Sequence, residues 1–125
     1  MLEALFGSDK KEKILLFLLT RGEAYPREIA RTLSLNLNAV QVQLLKLEAG
    51  GVVYSRLLGR VRLFGLNPRY PFKRELENLL EKSLGFLPQD EVTRLYRPRL
   101  RPRRTGKPSS PLGRGGTREK RLRLR

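Results

Sequence analysis

The stretch that decides the fold runs from residue 23 to residue 66 and has the sequence EAYPREIARTLSLNLNAVQVQLLKLEAGGVVYSRLLGRVRLFGL. Pro26 suits the first turn of a helix, because its φ is already close to the helical value and its missing N–H is not needed there. The apolar spacing that follows predicts a short helix over Pro26–Leu33. Residues 34–36 then interrupt the helical period. We therefore expect a short helix followed by a tight turn.

A second helix is predicted after this turn. Asn36 or Asn38 can cap it, since either side-chain oxygen can accept a hydrogen bond from a free backbone N–H of the first turn. The helical period continues to about Ala49. The Gly50-Gly51 pair then supplies the left-handed residue with which many helices end.

Two β-rich runs come next, Val52–Leu57 and Arg60–Leu66, with a tight turn at Leu58-Gly59 between them. The segment Glu23–Tyr25 is short enough to add a small third strand beside this hairpin. Helix, tight turn, helix and hairpin is the order of a winged helix-turn-helix. The predicted fold class is therefore mainly α with a small β-hairpin wing (α+β).

The second helix has an apolar stripe and a polar remainder. At about 100° per residue, Val40, Leu44 and Leu47 form the stripe, which we expect to pack against the first helix. Asn and Gln side chains donate and accept hydrogen bonds together, which suits base edges in the major groove, whereas Lys suits phosphate. The alternative is a polar surface that is only solvated. The candidate DNA-binding residues of this segment are Asn36, Asn38, Gln41, Val42, Gln43 and Lys46.

Two apolar residues, Val42 and Leu45, lie almost opposite the core stripe of the second helix. They can contact the methyl groups of thymine in the major groove, or they can be buried against a partner protein. The sequence leaves both interpretations open.

The predicted hairpin carries three further candidate DNA-binding residues. Arg60 and Arg62 are predicted to share one face of their strand by its period of two, and Arg56 to join them from the preceding strand. Three guanidinium groups around a glycine turn favour a contact with phosphate or with the minor groove. The alternative is a strand edge that is kept from aggregating by its charges.

Three motifs in this stretch resemble the DNA-binding core of the small MarR/ArsR-type winged-helix transcriptional regulators. They are REIA in the first helix, the pattern VQxxLxxLExxG in the second, and GRxRxFxLN in the wing strand. The resemblance covers about residues 6–84. It implies that Val40–Glu48 belongs to a recognition helix and that Arg56–Arg62 belongs to a wing. It also implies a homodimer interface formed by the first and last helices of the whole domain, which are the helix over Asp9–Thr20 and the helix that begins near Pro71.

The sequence contains neither Cys nor His. The thiolate metal site of the metal-sensing members of this family therefore cannot exist here, and we predict no metal site and no cofactor. An enzyme is not expected either, because there is no His for general-base catalysis, no Cys nucleophile and no glycine-rich phosphate loop between a strand and a helix.

Two segments flank the central stretch. Ser8 is a suitable cap for a helix over Asp9–Thr20, whose wide apolar surface indicates either a central position or contact with a second subunit. Pro71 is predicted to open a helix that continues to about Ser83. Residues 85–96 are interpreted as a last helical turn with packing residues.

The basic charge of the chain is unevenly distributed. The formal net charge is +15, yet residues 94–125 hold 13 of the 27 Lys and Arg residues and one acid, Glu119. Such an excess indicates a polyanionic partner. We predict a winged-helix DNA-binding domain over residues 1–96 and a disordered, basic, Arg- and Pro-rich tail over residues 97–125.

The sequence predicts a cytoplasmic protein, since it has no Cys and no apolar run of the ~18 residues needed to span a bilayer. Its predicted function is sequence-specific regulation of transcription on double-stranded DNA. One alternative is a nucleoid or RNA-associated protein that binds nucleic acid non-specifically through its tail, with the winged helix as an assembly module. Another is an adaptor whose winged helix binds a protein partner.

Overall fold

A computed structural model describes residues 1–98 of the chain, with six helices and three strands among them. The predicted order of helix, turn, helix and hairpin is present between residues 26 and 66. Their bounds are α1 Glu3–Phe6, α2 Asp9–Arg21, β1 Glu23–Ala24, α3 Pro26–Leu33, α4 Leu37–Ala49, β2 Val53–Leu58, β3 Val61–Leu66, α5 Lys73–Leu84 and α6 Gln89–Leu95.

Helix α2 occupies the centre of the described structure. Ser8 caps it as expected, because its hydroxyl oxygen accepts a hydrogen bond from the N–H of Lys11 at 3.2 Å. The five consecutive residues 14–18 are all buried, and α2 packs against α4, α5 and β3. Of the two alternatives left by the sequence, burial within the same chain is therefore the one observed.

A buried carboxylate links α2 to its neighbours. Glu12 accepts hydrogen bonds from the N–H of Leu2 at 2.9 Å and from the hydroxyl of Ser83 on α5 at 3.3 Å. A buried charge without such partners is strongly destabilising. These bonds therefore hold the chain before α1 and the C-terminal end of α5 against α2.

The turn between α3 and α4 is tight and involves an uncommon backbone conformation. Ser34 has φ 56° and ψ 46°, in the left-handed region that residues other than glycine seldom adopt. Asn36, rather than Asn38, caps α4, because its side-chain oxygen accepts a hydrogen bond from the N–H of Ala39 at 3.1 Å. Val40 and Leu44 are fully buried, which confirms that the predicted stripe faces the core.

The sheet is antiparallel in the order β1-β3-β2. The predicted small third strand is β1, and it pairs with β3 of the hairpin. The predicted turn is displaced by one residue. Leu58 pairs with Val61, which leaves Gly59 and Arg60 as the two turn residues. A two-residue turn of this kind needs a positive φ at its first position, and Gly59 has φ 64°.

The C-terminal helices differ from the prediction in two respects. Helix α5 begins at Lys73 rather than at Pro71, so Phe72 lies before its first turn and is largely exposed. Residues 85–96 contain a separate helix, α6, because Gly85 ends α5 and Pro88 precedes a new helical start. Tyr96 closes this region as a buried residue.

The predicted disordered tail lies outside the described residues, apart from Arg97 and Pro98. In residues 1–98, the longest helices have 13 residues, and none has the length and apolar character required to cross a membrane.

Candidate nucleic-acid interface

The outward face of α4 is the broadest helical surface that the central stretch leaves exposed. Because α4 is held by one narrow stripe, the positions opposite this stripe point away from the body of the protein. They follow the spacing i, i+3, i+4, i+7, i+8 and i+11, which places them on one side of a helix. They are Asn38, Gln41, Val42, Leu45, Lys46 and Ala49, all of them exposed.

Two of the predicted site residues do not belong to this face. Asn36 precedes α4, and its side-chain oxygen is engaged as the cap. Gln43 is half-buried, and its side-chain oxygen is buried without a hydrogen-bond partner among the residues that the structure describes. Gln43 lies outside the buried stripe at positions 40, 44 and 47, as expected, but directly beside it and away from the outward face of the helix.

A groove of about 250 Å³ separates α4 from the wing. It is lined by Gln41 and Leu45 of α4, by Arg62 and Phe64 of β3, and by Pro26 at the start of α3. The groove therefore brings two residues of the predicted site, the amide of Gln41 and the guanidinium group of Arg62, together with the aliphatic side chain of Leu45.

A chain of two hydrogen bonds runs from β3 through β2 to the C-terminal half of α4, and the second of these bonds joins the hairpin to the helix. The Arg62 guanidinium donates to the Ser55 hydroxyl oxygen at 3.0 Å, and the Ser55 hydroxyl donates to the Glu48 carboxylate at 2.6 Å. Sequence analysis missed Ser55 and Glu48, because nothing in the local pattern connects positions that meet only when the hairpin folds over α4. The chain of bonds fixes the Arg62 side chain beside the groove.

Arg56 lies on the other face of the hairpin, which corrects the prediction that three arginines cluster on one side. Cross-strand partners share a face of an antiparallel sheet, and Arg56 pairs with Leu63, whereas Arg62 pairs with Leu57. Arg56 donates to both carboxylate oxygens of Glu23 on β1, each at 2.8 Å. The hydrogen bond with Glu23 raises the pKa of Arg56 further, so this guanidinium stays charged and paired.

The same carboxylate also accepts a hydrogen bond from the Tyr54 hydroxyl. The Tyr54 ring lies across Gly65 of β3, where a Cβ at residue 65 would come within 2.8 Å of the hydroxyl oxygen. Burial, followed by the hydrogen bond to Glu23, raises the pKa of Tyr54 to about 12. The wing is therefore stabilised by contacts among Tyr54, Arg56 and Glu23, and none of these three residues lines the groove.

Arg60 occupies the turn of the hairpin instead of a strand face. Arg60 is exposed at the tip of the wing, and Lys46 is exposed on α4. Within residues 1–98, neither of these cations has an ion-pair partner. Both positions are therefore suited to a phosphate contact.

The positive charge of the described structure is concentrated around this surface. Residues 26–62 hold six Lys and Arg residues, all exposed, and only two acids. Both acids are engaged, Glu28 with Arg21 at 2.9 Å and Glu48 with Ser55. By contrast, residues 1–25 contain four cations and four acids, and residues 63–98 contain six and five.

The fold is that of the winged-helix class of proteins. It consists of α3, the tight turn and α4, followed by the β2–β3 hairpin, whose strand β3 also pairs with β1. No family model and no curated protein sequence matches the chain. Solved structures do. A variant of ZitR from Lactococcus lactis is 26% identical with a TM-score of 0.50, and the match covers 62% of this chain and 56% of that chain.

Two further structures share the fold. YusO from Bacillus subtilis is 20% identical with a TM-score of 0.54, covering 74% of this chain and 73% of that chain. A MarR-family transcriptional regulator from Rhodococcus sp. RHA1 is 18% identical with a TM-score of 0.52, covering 73% and 71%. The predicted MarR-like winged-helix fold is thus confirmed.

Proposed function

We propose that this protein regulates transcription by binding double-stranded DNA, with α4 in the major groove and the wing along the phosphate backbone. The observation that carries this proposal is the outward face of α4, which is broad, exposed and set in the part of the described chain where the cations gather. The width of a major groove, about 12 Å, admits a helix of this kind.

The side chains of this surface divide by chemistry. Asn38 and Gln41 present amides, which suit base edges, whereas Lys46, Arg60 and Arg62 present cations, which suit phosphates. Gln43 is not part of this proposed reading surface, because its side-chain oxygen is buried. Arg56 contributes by supporting the wing through its pair with Glu23.

A homodimer is also proposed, through the terminal elements of the domain rather than through α2. The sequence left open whether the apolar residues of α2 contact a second subunit, but residues 14–18 are buried within their own chain. Leu5 on α1, Phe72 before α5 and Phe86 after it remain exposed. Two copies joined at these elements would present two α4 helices to two half-sites of an operator.

Selection from a randomised duplex library at about 0.15 M salt tests the proposal. We expect the full chain to recover a palindromic consensus, and a Gln41→Ala variant to lose preference at one position of each half-site. An Arg60→Ala variant serves as the matched control. It is expected to weaken binding to all sequences alike, because a phosphate contact carries no base preference.

The same experiment separates this function from binding through the basic tail, which the 13 cations of residues 94–125 favour. A chain truncated after residue 96 is expected to keep the consensus, with lower affinity and a weaker salt dependence. Complete loss of binding on truncation, or an unchanged preference in the Gln41→Ala variant, would contradict the regulator proposal. The cytoplasmic location stays a prediction of the sequence.

A further inference from the structure

We infer that Val42 and Leu45 recognise the C5-methyl groups of thymine, so that the DNA sites preferred by this protein carry A·T pairs beneath the middle of α4. This inference rests on the proposed function and names what its central surface selects. Val42 is 39% exposed and Leu45 is 59% exposed on the outward face of the helix.

The spacing of the two side chains suits neighbouring base pairs. Residues three apart on a helix have Cβ atoms about 5–6 Å from each other. Their separation along the helix axis is about 4.5 Å. Successive base pairs are about 3.4 Å apart. Two apolar side chains at this spacing can therefore contact methyl groups on adjacent steps of a duplex.

The neighbouring amide completes the pattern that an A·T pair displays. In the major groove, this pair shows the N7 acceptor and N6 donor of adenine beside the O4 acceptor and methyl group of thymine. Gln41 and Leu45 lie one helical turn apart and line the same groove. A bidentate contact from Gln41 to adenine thus places the Leu45 side chain towards the thymine methyl. A G·C pair offers no methyl group to fill that position.

The charge around these residues favours DNA as the occupant of the apolar face. Single exposed apolar side chains are common on protein surfaces and need no partner. These two, however, are adjacent, and Lys46 follows them on α4 while Arg62 lies across the groove. An apolar centre with a cationic rim is complementary to a polyanion that carries methyl groups.

The test compares thymine with deoxyuridine, which lacks only the methyl group. The full chain is used to select its preferred duplex, and each thymine of that duplex is then replaced by deoxyuridine, one position at a time. We expect binding to weaken about fourfold at each recognised position, the value for one buried methyl group. Replacement outside these positions should leave the affinity unchanged.

Three variants connect the effect to the side chains. Val42→Ala and Leu45→Ala should each remove the difference between thymine and deoxyuridine at one position and keep it at the other. Leu57→Ala on β2, which also shortens an exposed apolar side chain and lies outside both the groove and the proposed dimer elements, should keep both differences. Since all three residues are exposed, thermal unfolding should show that each variant is folded.

The outcomes separate the inference from the proposed function. A selected sequence that tolerates every deoxyuridine replacement would overturn the inference and leave the regulator function standing. A Val42→Ala, Leu45→Ala double variant that still distinguishes thymine would also overturn it, because other side chains would then recognise the methyl groups. If no preferred sequence is recovered, both fail.

Discussion

Helices α2 and α4 have the same length, 13 residues, and opposite roles. Helix α4 contains eight Ala, Val and Leu residues, whereas α2 contains six Ile, Leu and Phe residues. Yet five apolar residues of α2 are buried, compared with three of α4. The more apolar helix is therefore the less buried one. Position in the fold, rather than composition, leaves α4 with apolar surface available for a partner.

The largest effect is expected at the centre of α2. Phe17 is fully buried, and the Arg21 guanidinium lies 4.5 Å from the centre of its ring. Replacing a buried Phe with Ala removes its packing and leaves a cavity, so Phe17→Ala should lower the free energy of unfolding by about 3–5 kcal/mol. Urea denaturation measures this change.

Leu57→Ala is the control for this substitution, because Leu57 on β2 is 60% exposed and lies outside the proposed dimer elements. It should change the free energy of unfolding by no more than about 0.5 kcal/mol. Equal losses in the two variants would mean that α2 is not the structural centre.

The next effect distinguishes the two sides of α4 at adjacent positions. Leu44 is fully buried, whereas Leu45 is 59% exposed. Leu44→Ala should lower the free energy of unfolding by about 2–5 kcal/mol. Leu45→Ala should leave it within about 0.5 kcal/mol of the parent value. Chemical denaturation of the two variants measures these changes. A larger loss for Leu45→Ala than for Leu44→Ala would mean that the opposite side of α4 faces the core.

The smallest effect concerns charge and appears in binding rather than in stability. Lys46 on α4 and Lys10 on α2 are both exposed lysines. If α4 lies on DNA, Lys46→Ala should reduce the slope of log affinity against log salt concentration by about 0.9, the value for one phosphate contact. Lys10→Ala should leave the slope unchanged. Salt titrations of both variants measure this, and identical slopes would remove Lys46 from the interface.

Sequence analysis predicted the elements whose signals are local. The bounds of α3 follow from Pro26 at its first turn and from the break in period after Leu33. The start of α4 was narrowed to two asparagines, because a cap needs only a side-chain oxygen three residues before a free N–H. The two strands of the hairpin were likewise visible in the sequence, as β-rich runs on either side of a glycine turn, although their burial does not alternate residue by residue.

The features that depend on distant contacts were not predictable in this way. The face of Arg56 depends on the cross-strand register, and its partner Glu23 is 33 residues away. Gln43 has the polar character of a surface residue, and only the packing of α4 buries its side-chain oxygen. The link from Glu12 to Ser83 spans 71 residues. Periodicity along one segment contains no information about such pairs.

The strand order β1-β3-β2 has a consequence for the way in which the chain folds. The β2–β3 hairpin needs only a two-residue turn, whereas the pairing of Glu23 with Gly65 closes a loop of about 40 residues around α3 and α4. Closing a long loop costs more chain entropy than closing a short one, and contacts between distant residues form more slowly. We therefore expect the hairpin to form early and β1 to join it late. The Ser55–Glu48 bond, which joins residues only seven apart, would then hold the wing against α4 before β1 completes the sheet.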